Sequence, residues 1–251
     1  MTAPLMDTLR ILIADHHYLV RLGLRSLIGS HTGWEVCGEA VDGREAVEMC
    51  KQLHPDLLIL DIGMPKLNGV DAARQILRAD PSQKILVITD VDSEIVIGEC
   101  LEAGVRGWAW KSDGGPDLIL AIEELQNRGT FFTPRVAELI LKGYLQKSHS
   151  HPEETSVGGL SLREREVVQL LSEGNMAREV ASILRVSVKT AETHRSNIMR
   201  KLGIHSVTEL VLYAVRNNII RVPLAVSAQE DGKSDGHGAR LPSQEDRQLF
   251  N

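Results

Sequence analysis

The chain has 251 residues and an apolar content of 43%, which is enough for two globular domains with separate cores. Its formal net charge of −6, averaged over the whole chain, argues against nucleic acid as a partner. A secretory signal and a membrane span are not expected either, because Asp7 and Arg10 interrupt the first apolar stretch and no apolar run approaches the ~20 residues that cross a bilayer.

The first half of the chain alternates short apolar runs with helical stretches. The predicted strands are Leu9–Ala14, Trp34–Ala40, Asp56–Leu60, Lys84–Ile88 and Val105–Trp110. The predicted helices are a stretch after Asp15, with Leu19, Leu22, Leu27 and Ile28 as candidate core residues, and then Gly43–Leu53, Gly69–Ala79, Ser93–Ala103 and Asp117–Gln126. Five strands that alternate with five helices predict an α/β fold with a five-stranded parallel sheet.

Polar side chains stand where four of these strands end, at Asp15, Asp61, Thr89 and Lys111. Because ligands bind at the carboxyl ends of parallel strands, we expect these side chains to converge. Two carboxylates in one site repel each other unless a divalent cation or a lysine compensates them. The set is therefore typical of a phosphoryl-transfer pocket with Asp61 as nucleophile. A plainer interpretation is that these side chains only satisfy loop backbone.

Three motifs make residues 1–128 resemble the receiver domain of bacterial response regulators. They are Ile11–Asp15, Pro55–Pro65 followed by Gly69, and Gly104–Lys111. The resemblance implies a flavodoxin-like fold whose phosphoacceptor, Asp61, takes a phosphoryl group from a sensor histidine kinase. It also implies a Mg²⁺ site made by Asp15, Asp61 and the backbone carbonyl of Gly63, phosphate contacts from Thr89 and Lys111, and Trp108 at the switch-aromatic position.

The chain departs from this pattern directly after the first strand. His16 and then His17 follow Asp15, where the family usually has a second acidic residue. Mg²⁺ prefers hard oxygen ligands, whereas imidazole suits softer metals. We therefore expect weak Mg²⁺ binding and weak phosphorylation, and we expect His16→Asp to raise the affinity for Mg²⁺.

Two further departures are Asp90, which adds negative charge after Thr89, and Trp108, which is bulkier than the usual tyrosine. These departures leave an alternative open, in which the receiver acts without phosphorylation through a ligand, a partner or dimerisation. A remote alternative is a phosphohydrolase that uses Asp61, although no further acid or base follows at Gly63, where such enzymes often need one.

The segments outside the two halves have different compositions. Residues 129–159 are predicted to be a linker that contains the helix Pro134–Leu145, and its polar part Ser148–Ser156 is predicted to be mobile. Residues 222–251 are rich in polar residues and are predicted to be a disordered tail. The cysteines have no metal-ligand spacing and are expected to be inert thiols in a reducing cytosol; they are Cys37, Cys50 and Cys100.

Residues 160–221 are predicted to form four helices around one small core. Ser161 and Glu164 make a capping box at the start of the first. The second is predicted from about Met176 to Leu184, the third spans Ser187–Gly203 and the fourth spans Ser206–Asn217. The short connector Arg185–Ser187 makes the middle two helices a helix-turn-helix.

The third of these helices is amphipathic. Its apolar stripe consists of Val188, Ala191, Ile198 and Leu202. Its polar face would, by itself, be typical of a solvated surface helix. However, residues 160–221 hold 10 Lys and Arg against 6 Asp and Glu, whereas residues 1–130 hold 12 against 20. The positive charge is concentrated where the helix-turn-helix lies, which favours binding to phosphates of nucleic acid.

Residues 160–220 resemble the DNA-binding domain of the LuxR/NarL/FixJ family. The match lies in Arg163–Val167, Glu179–Ala181, His194–Arg195 and Lys201–Gly203 at fixed spacing. It implies binding of double-stranded DNA as a homodimer that pairs through the helix Ser206–Asn217. The apolar residues of that helix would make the dimer contact or, alternatively, close the core of the domain itself; they are Leu210, Val211, Ala214 and Val215.

The resemblance also assigns DNA contacts along the third helix. The positions that face bases are Glu192, Thr193 and Ser196. The positions at or near the DNA backbone are Lys189, Thr190, Arg195, Asn197 and Lys201, and His194 flanks both sets. Together these features predict a cytoplasmic, sequence-specific DNA-binding transcription regulator, not an enzyme, whose receiver gates its helix-turn-helix.

Overall fold

The computed structural model describes residues 8–147 and 159–220. The strands are β1 Leu9–Ala14, β2 Trp34–Ala40, β3 Leu57–Leu60, β4 Lys84–Thr89, β5 Gly107–Trp110 and β6 Phe131–Phe132. The helices are α1 Tyr18–Gly29, α2 Gly43–Leu53, α3 Gly69–Ala79, α4 Glu94–Ala103, α5 Gly115–Arg128, α6 Pro134–Lys147, α7 Leu162–Ser172, α8 Ala177–Leu184, α9 Val188–Leu202 and α10 Val207–Arg216.

The strands form one parallel sheet in the order β2-β1-β3-β4-β5-β6. The chain runs outward in opposite directions from β1 and β3, so the sheet has its switch point between these two strands. Asp15 and Asp61 directly follow β1 and β3. The fold therefore places both carboxylates at the crevice where ligands of such sheets bind.

The prediction of five strands was wrong by one, because Phe131 and Phe132 add a sixth strand beside β5. Gly129, in the left-handed region with φ of 74°, ends α5 and turns the chain back onto the sheet edge. Two residues are too few to produce a recognisable alternation in the sequence. The described part of the predicted linker helix also extends beyond Leu145, to Lys147.

Leu19 and Leu22 were predicted to be core residues, but this was wrong, since their exposed fractions are 77% and 40%. The inner face of α1 carries Arg21 together with Leu24 and Ile28. The guanidinium of Arg21 explains why this face of α1 is turned inward, because it donates a 2.8 Å hydrogen bond to the backbone carbonyl of Asp15. A charged residue with a backbone partner thus takes the inward position that an apolar pattern would assign to leucine.

Helices α7 to α10 enclose the separate small core that was predicted. Val180, Ala181, Leu184, Ala191 and Ile198 are buried in it. Val188, which was predicted for the apolar stripe, is 40% exposed because it is the first residue of α9.

Local sequence signals explain how the helix-turn-helix forms. Ser187 caps α9 by accepting a 3.0 Å hydrogen bond from the backbone N–H of Thr190. The predicted capping box joins Ser161 and Glu164 at α7. Arg185 adopts the left-handed conformation, with φ of 53°, and makes the sharp turn that separates α8 from α9.

The three cysteines are free thiols, with Cys50 and Cys100 buried and Cys37 partly buried. Burial raises the pKa of Cys50 to about 12 and also raises that of Cys100. The predicted mobile linker Ser148–Ser156 and the predicted tail 222–251 lie outside the described residues. Within the described ranges, no helix combines the length and the apolar character that crossing a membrane requires.

Candidate functional site

Asp15, Asp61 and Lys111 converge at the carboxyl ends of β1, β3 and β5. Both aspartates are 2% exposed. The Nζ atom of Lys111 lies 2.7 Å from Oδ2 of Asp15 and 3.2 Å from Oδ2 of Asp61. One ammonium therefore compensates two buried carboxylates that would otherwise repel each other.

Two histidines complete this cluster. Nδ1 of His16 lies 3.4 Å from Oδ2 of Asp61, and Nδ1 of His17 lies 3.1 Å from Oδ1 of Asp15. One ligand atom from each of these four residues lies within 4.8 Å of the other three. Sequence reasoning named His16 only as a departure from the family and did not assign His17 to the site.

The carboxylate of Asp61 lacks hydrogen bonds although it is buried. Among the described residues, neither of its side-chain oxygens accepts a hydrogen bond of good geometry. Nζ of Lys111 and Nδ1 of His16 lie 3.2 Å and 3.4 Å from Oδ2 of Asp61 and act on it as electrostatic neighbours. A buried carboxylate in this state favours a cation or a covalent partner at that position.

This set of side chains does not suit Mg²⁺. Mg²⁺ requires near-octahedral oxygen ligands at about 2.0–2.1 Å. Here the cluster has carboxylates only at Asp15 and Asp61, and the position usually held by a further acid is the imidazole of His16. Lys111 also occupies the space between the two carboxylates.

Thr89 and Trp108 are buried residues of β4 and β5. Thr89 is fully buried, and its hydroxyl oxygen accepts a 3.2 Å hydrogen bond from the backbone N–H of Val91. Trp108 is 1% exposed and packs edge-on against Trp110, with ring centroids 6.0 Å apart. Asp90 is exposed. Because the hydroxyl oxygen of Thr89 is the acceptor in its bond with Val91, its own proton stays available to donate to a phosphoryl oxygen.

The loop from Ile62 to Asn68, which follows Asp61, is held by α7. The side-chain oxygen of Gln169 accepts a 2.7 Å hydrogen bond from the backbone N–H of Asn68. Its amide nitrogen donates to the backbone carbonyl of Met64 at 3.1 Å. Glu173 accepts a hydrogen bond from the backbone N–H of Lys66 at 3.1 Å. The helix-turn-helix domain thus contacts the segment adjacent to the candidate phosphoacceptor.

A buried ion cluster lies beside this loop. Nε of Arg165, on α7, lies 3.0 Å from both carboxylate oxygens of Asp71, on α3. Arg74 contacts Asp71 at 2.8 Å and Glu99 at 3.4 Å. Burial raises the pKa of Glu99, and the positive charges of Arg165 and Arg74 oppose that rise. Sequence reasoning missed this contact, although Arg165 and Gln169 recur at helical spacing on one face of α7.

A cleft of about 490 Å³ separates the site from part of the helix-turn-helix domain. His16 and Gly63 line its receiver side, and Gln169, Asn175 and Ile220 line the opposite side. Gly63, whose carbonyl was predicted to be a metal ligand, is partly buried in this loop. The cleft gives small ions and molecules a route to His16.

The nine predicted DNA contacts all lie on α9. His194 is partly buried and the other eight are exposed. Thr193 uses its hydroxyl to donate to the backbone carbonyl of Lys189 at 2.8 Å, and Lys201 pairs with Glu164 at 2.8 Å. Within the described residues, Glu192 makes no hydrogen bond or ion pair, so its carboxylate is available to a partner.

Comparison with known families accounts for both halves of the chain. Residues 11–123 match the response regulator receiver domain, and residues 159–214 match the luxR family of bacterial regulatory proteins. The transcriptional regulatory protein DegU of Brevibacillus brevis is 30% identical over 86% of this chain and 97% of its own length. The response regulator protein VraR of Staphylococcus aureus is 31% identical over 85% of this chain and 100% of its own.

Solved structures agree with these matches. A LuxR-family two-component response regulator from Aurantimonas has a TM-score of 0.51 and 31% identity over 54% of this chain and 97% of that one. RcsB of Salmonella enterica serovar Typhimurium, described as bound to promoter rprA in the presence of the phosphomimetic BeF3−, has a TM-score of 0.50 and 27% identity over 82% and 98%. The chain therefore belongs to the response regulators that join a receiver domain to a LuxR-type DNA-binding domain.

Proposed function

We propose that this chain is a cytoplasmic, sequence-specific transcription regulator in which phosphorylation of Asp61 by a sensor histidine kinase controls the helix-turn-helix. The observation that carries this proposal is the contact between α7 and the loop after Asp61. Gln169 bonds to the backbone of both Met64 and Asn68. A change at Asp61 is thus only a few residues away from the DNA-binding domain.

The transfer itself uses groups already at the site. A carboxylate oxygen of Asp61 attacks the phosphorus of the donor, and the donor's leaving group departs from the opposite side. Lys111 offsets the charge of the phosphoryl oxygens, and the hydroxyl of Thr89 donates a hydrogen bond to one of them. The added charge and volume then displace the loop that α7 holds.

Control of DNA binding in this arrangement does not require α9, which carries the predicted DNA contacts, to be covered. The predicted base-facing residues of α9 are exposed while α7 is docked on the receiver. Docking instead restricts where the DNA-binding domain lies when two copies meet on DNA. Leu210 and Ala214 close the domain core, with exposed fractions of 1% and 0%. The partly buried Val211 and Val215 and the exposed Val207 and Leu212 are the apolar residues of α10 that remain for a dimer contact.

The proposal is tested by treating the full chain with a small phosphodonor and measuring its mass and its DNA affinity. The expected result is a single phosphoryl mass shift located at Asp61, together with a change in DNA affinity, both absent in Asp61→Asn. DNA binding with no mass shift would favour the alternative that His16 suggests, a receiver regulated without phosphorylation. Turnover of a phosphomonoester would favour the phosphohydrolase.

Glu192 is expected to select cytosine. A carboxylate accepts a hydrogen bond from the cytosine amino group in the major groove but cannot donate to guanine, and such a contact contributes about 1–3 kcal/mol of discrimination. Glu192→Gln should relax this preference and strengthen non-specific binding, because it removes a negative charge near phosphates. Binding-site selection with both proteins checks the prediction, and identical sequence logos would contradict it.

Lys201 is expected to act on all DNA sequences alike. Its ammonium is at the exposed end of α9, where it now pairs with Glu164. Lys201→Ala should weaken binding to specific and to non-specific DNA equally. It should also lower the slope of log affinity against log salt concentration by about one, because one phosphate contact is lost. Titrations of two unrelated duplexes at several salt concentrations measure this, and an effect confined to one duplex would count against a phosphate contact.

A further inference from the structure

The cluster of Asp15, His16, His17 and Asp61 offers imidazole ligands at a place in the fold where a second acidic residue is usual. Asp15 and Asp61 supply carboxylate oxygens, and His16 and His17 supply imidazole nitrogens. The aspartates are nearly fully buried, whereas the side chains of His16 and His17 are 35% and 53% exposed. The buried half of the cluster is therefore made of carboxylates, and the half that faces solvent is made of imidazoles.

The spacing of the ligand atoms suits a four-coordinate ion. Zinc–nitrogen and zinc–oxygen bonds of about 2.0–2.2 Å place tetrahedral ligand atoms roughly 3.3 Å apart. In the cluster, Nδ1 of His17 is 3.1 Å from Oδ1 of Asp15, and Nδ1 of His16 is 3.4 Å from Oδ2 of Asp61 and 4.0 Å from Oδ1 of Asp15. Only small side-chain movements would bring the four atoms around one ion.

Asp61 supplies an independent indication of a ligand. It is 2% exposed, and among the described residues its carboxylate accepts no hydrogen bond of good geometry. Lys111 contacts Oδ2 of both aspartates, but Asp15 differs because its Oδ1 also accepts a 2.7 Å hydrogen bond from the backbone N–H of His17. The unsatisfied carboxylate is thus the one that points toward His16.

Lys111 lies beside the proposed ligands and must shift when an ion binds. Its Nζ atom is 3.2 Å from Oδ2 of Asp61 and 3.4 Å from Nδ1 of His17, so an ion on these atoms would displace it from both. Its closest contact, at 2.7 Å, is with Oδ2 of Asp15, whereas the oxygen near both histidines is Oδ1, so that contact can remain as support for a ligating carboxylate.

We propose that Asp15, His16, His17 and Asp61 bind a divalent transition-metal ion of the Zn²⁺ or Co²⁺ class in preference to Mg²⁺. Imidazole favours such ions over Mg²⁺, and mixed nitrogen and carboxylate ligands are typical of their sites. The cleft beside His16 provides access. This inference uses the residues of the proposed phosphorylation site but does not depend on phosphorylation, so each fails separately.

The test is titration of the full chain with Co²⁺ at fixed neutral pH, followed by its visible absorption, and titration with Zn²⁺ and Mg²⁺ by calorimetry. The background carries His149→Ala and His151→Ala, which remove a histidine pair outside the described residues. We expect one Co²⁺ per chain with absorption bands typical of nitrogen ligands. Loss of a residue that hydrogen-bonds to a metal ligand lowers metal affinity about 10- to 100-fold. His16→Ala removes a direct ligand and should therefore lower Co²⁺ affinity by at least that factor.

Matched variants separate this site from other metal binding. His205→Ala removes a histidine of the helix-turn-helix domain and should leave Co²⁺ affinity unchanged. His16→Asp should lower Co²⁺ affinity and raise Mg²⁺ affinity, since a hard ligand replaces an imidazole. Far-UV circular dichroism without metal checks that each variant folds. Unchanged Co²⁺ affinity and spectrum in His16→Ala, or equal Mg²⁺ affinity in wild type and His16→Asp, would overturn the proposal.

Discussion

Arg165→Ala is expected to detach the DNA-binding domain from the receiver. Arg165 is 3% exposed and bonds to both oxygens of Asp71, which is 1% exposed. Without the guanidinium, the buried carboxylates of Asp71 and Glu99 keep Arg74 as their cation among the described residues. Breaking a buried ion pair on one side costs about 3–5 kcal/mol, and domain separation relieves that cost by returning the carboxylates to water.

Small-angle scattering and thermal unfolding of the full chain measure the detachment. The variant should show a larger radius of gyration and two unfolding transitions where wild type shows one. Arg178→Ala is the control, since it removes an exposed arginine from α8 of the same domain. A variant that stays as compact as wild type and unfolds in one step would show that the Arg165 pair does not hold the domains together.

Most of the fold was predictable because its signals are local. The apolar runs that became β1, β3, β4 and β5 are buried on both faces, and the caps at Ser161 and Ser187 lie where the sequence placed them. Leu19 and Leu22 were assigned wrongly because Arg21 is held inward by the backbone carbonyl of Asp15 and by Glu39 on β2, and the apolar pattern of α1 reveals neither partner. The strand Phe131–Phe132 was missed because pairing at a sheet edge depends on tertiary contact and not on periodicity.

The candidate site was predictable only in part, for a related reason. Strand ends converge by topology, so the meeting of Asp15, Asp61 and Lys111 follows from the order of elements alone. The contact of Arg165 with Asp71 joins residues 94 positions apart on different domains. Within a helix, a charged residue that will be buried against another domain has the same pattern as one that faces water. Domain docking therefore had no separate signal in the sequence.

Gly69→Ala is expected to distort the loop next to Asp61, the proposed phosphoacceptor. A Cβ atom at position 69 would lie 2.1 Å from the backbone carbonyl oxygen of Asp61 and 2.8 Å from Cα of Ile62. Both neighbours are backbone atoms, so the loop after β3 must shift. Such overpacking costs about 1–3 kcal/mol, and the shift should also slow phosphoryl uptake by Asp61, because the carboxylate moves relative to Lys111.

Urea unfolding and phosphoryl uptake are measured on this variant and on Gly98→Ala. Gly98 lies within α4, and a Cβ atom there would meet nothing within 4 Å. Alanine in an open helical position is more stable than glycine by roughly 0.5–1 kcal/mol, so Gly98→Ala should gain stability and keep its phosphoryl uptake. The same change from glycine to alanine is therefore expected to lower stability at position 69 and to raise it at position 98. Equal gains in stability would mean that the close approach at Gly69 does not constrain the loop that carries Asp61.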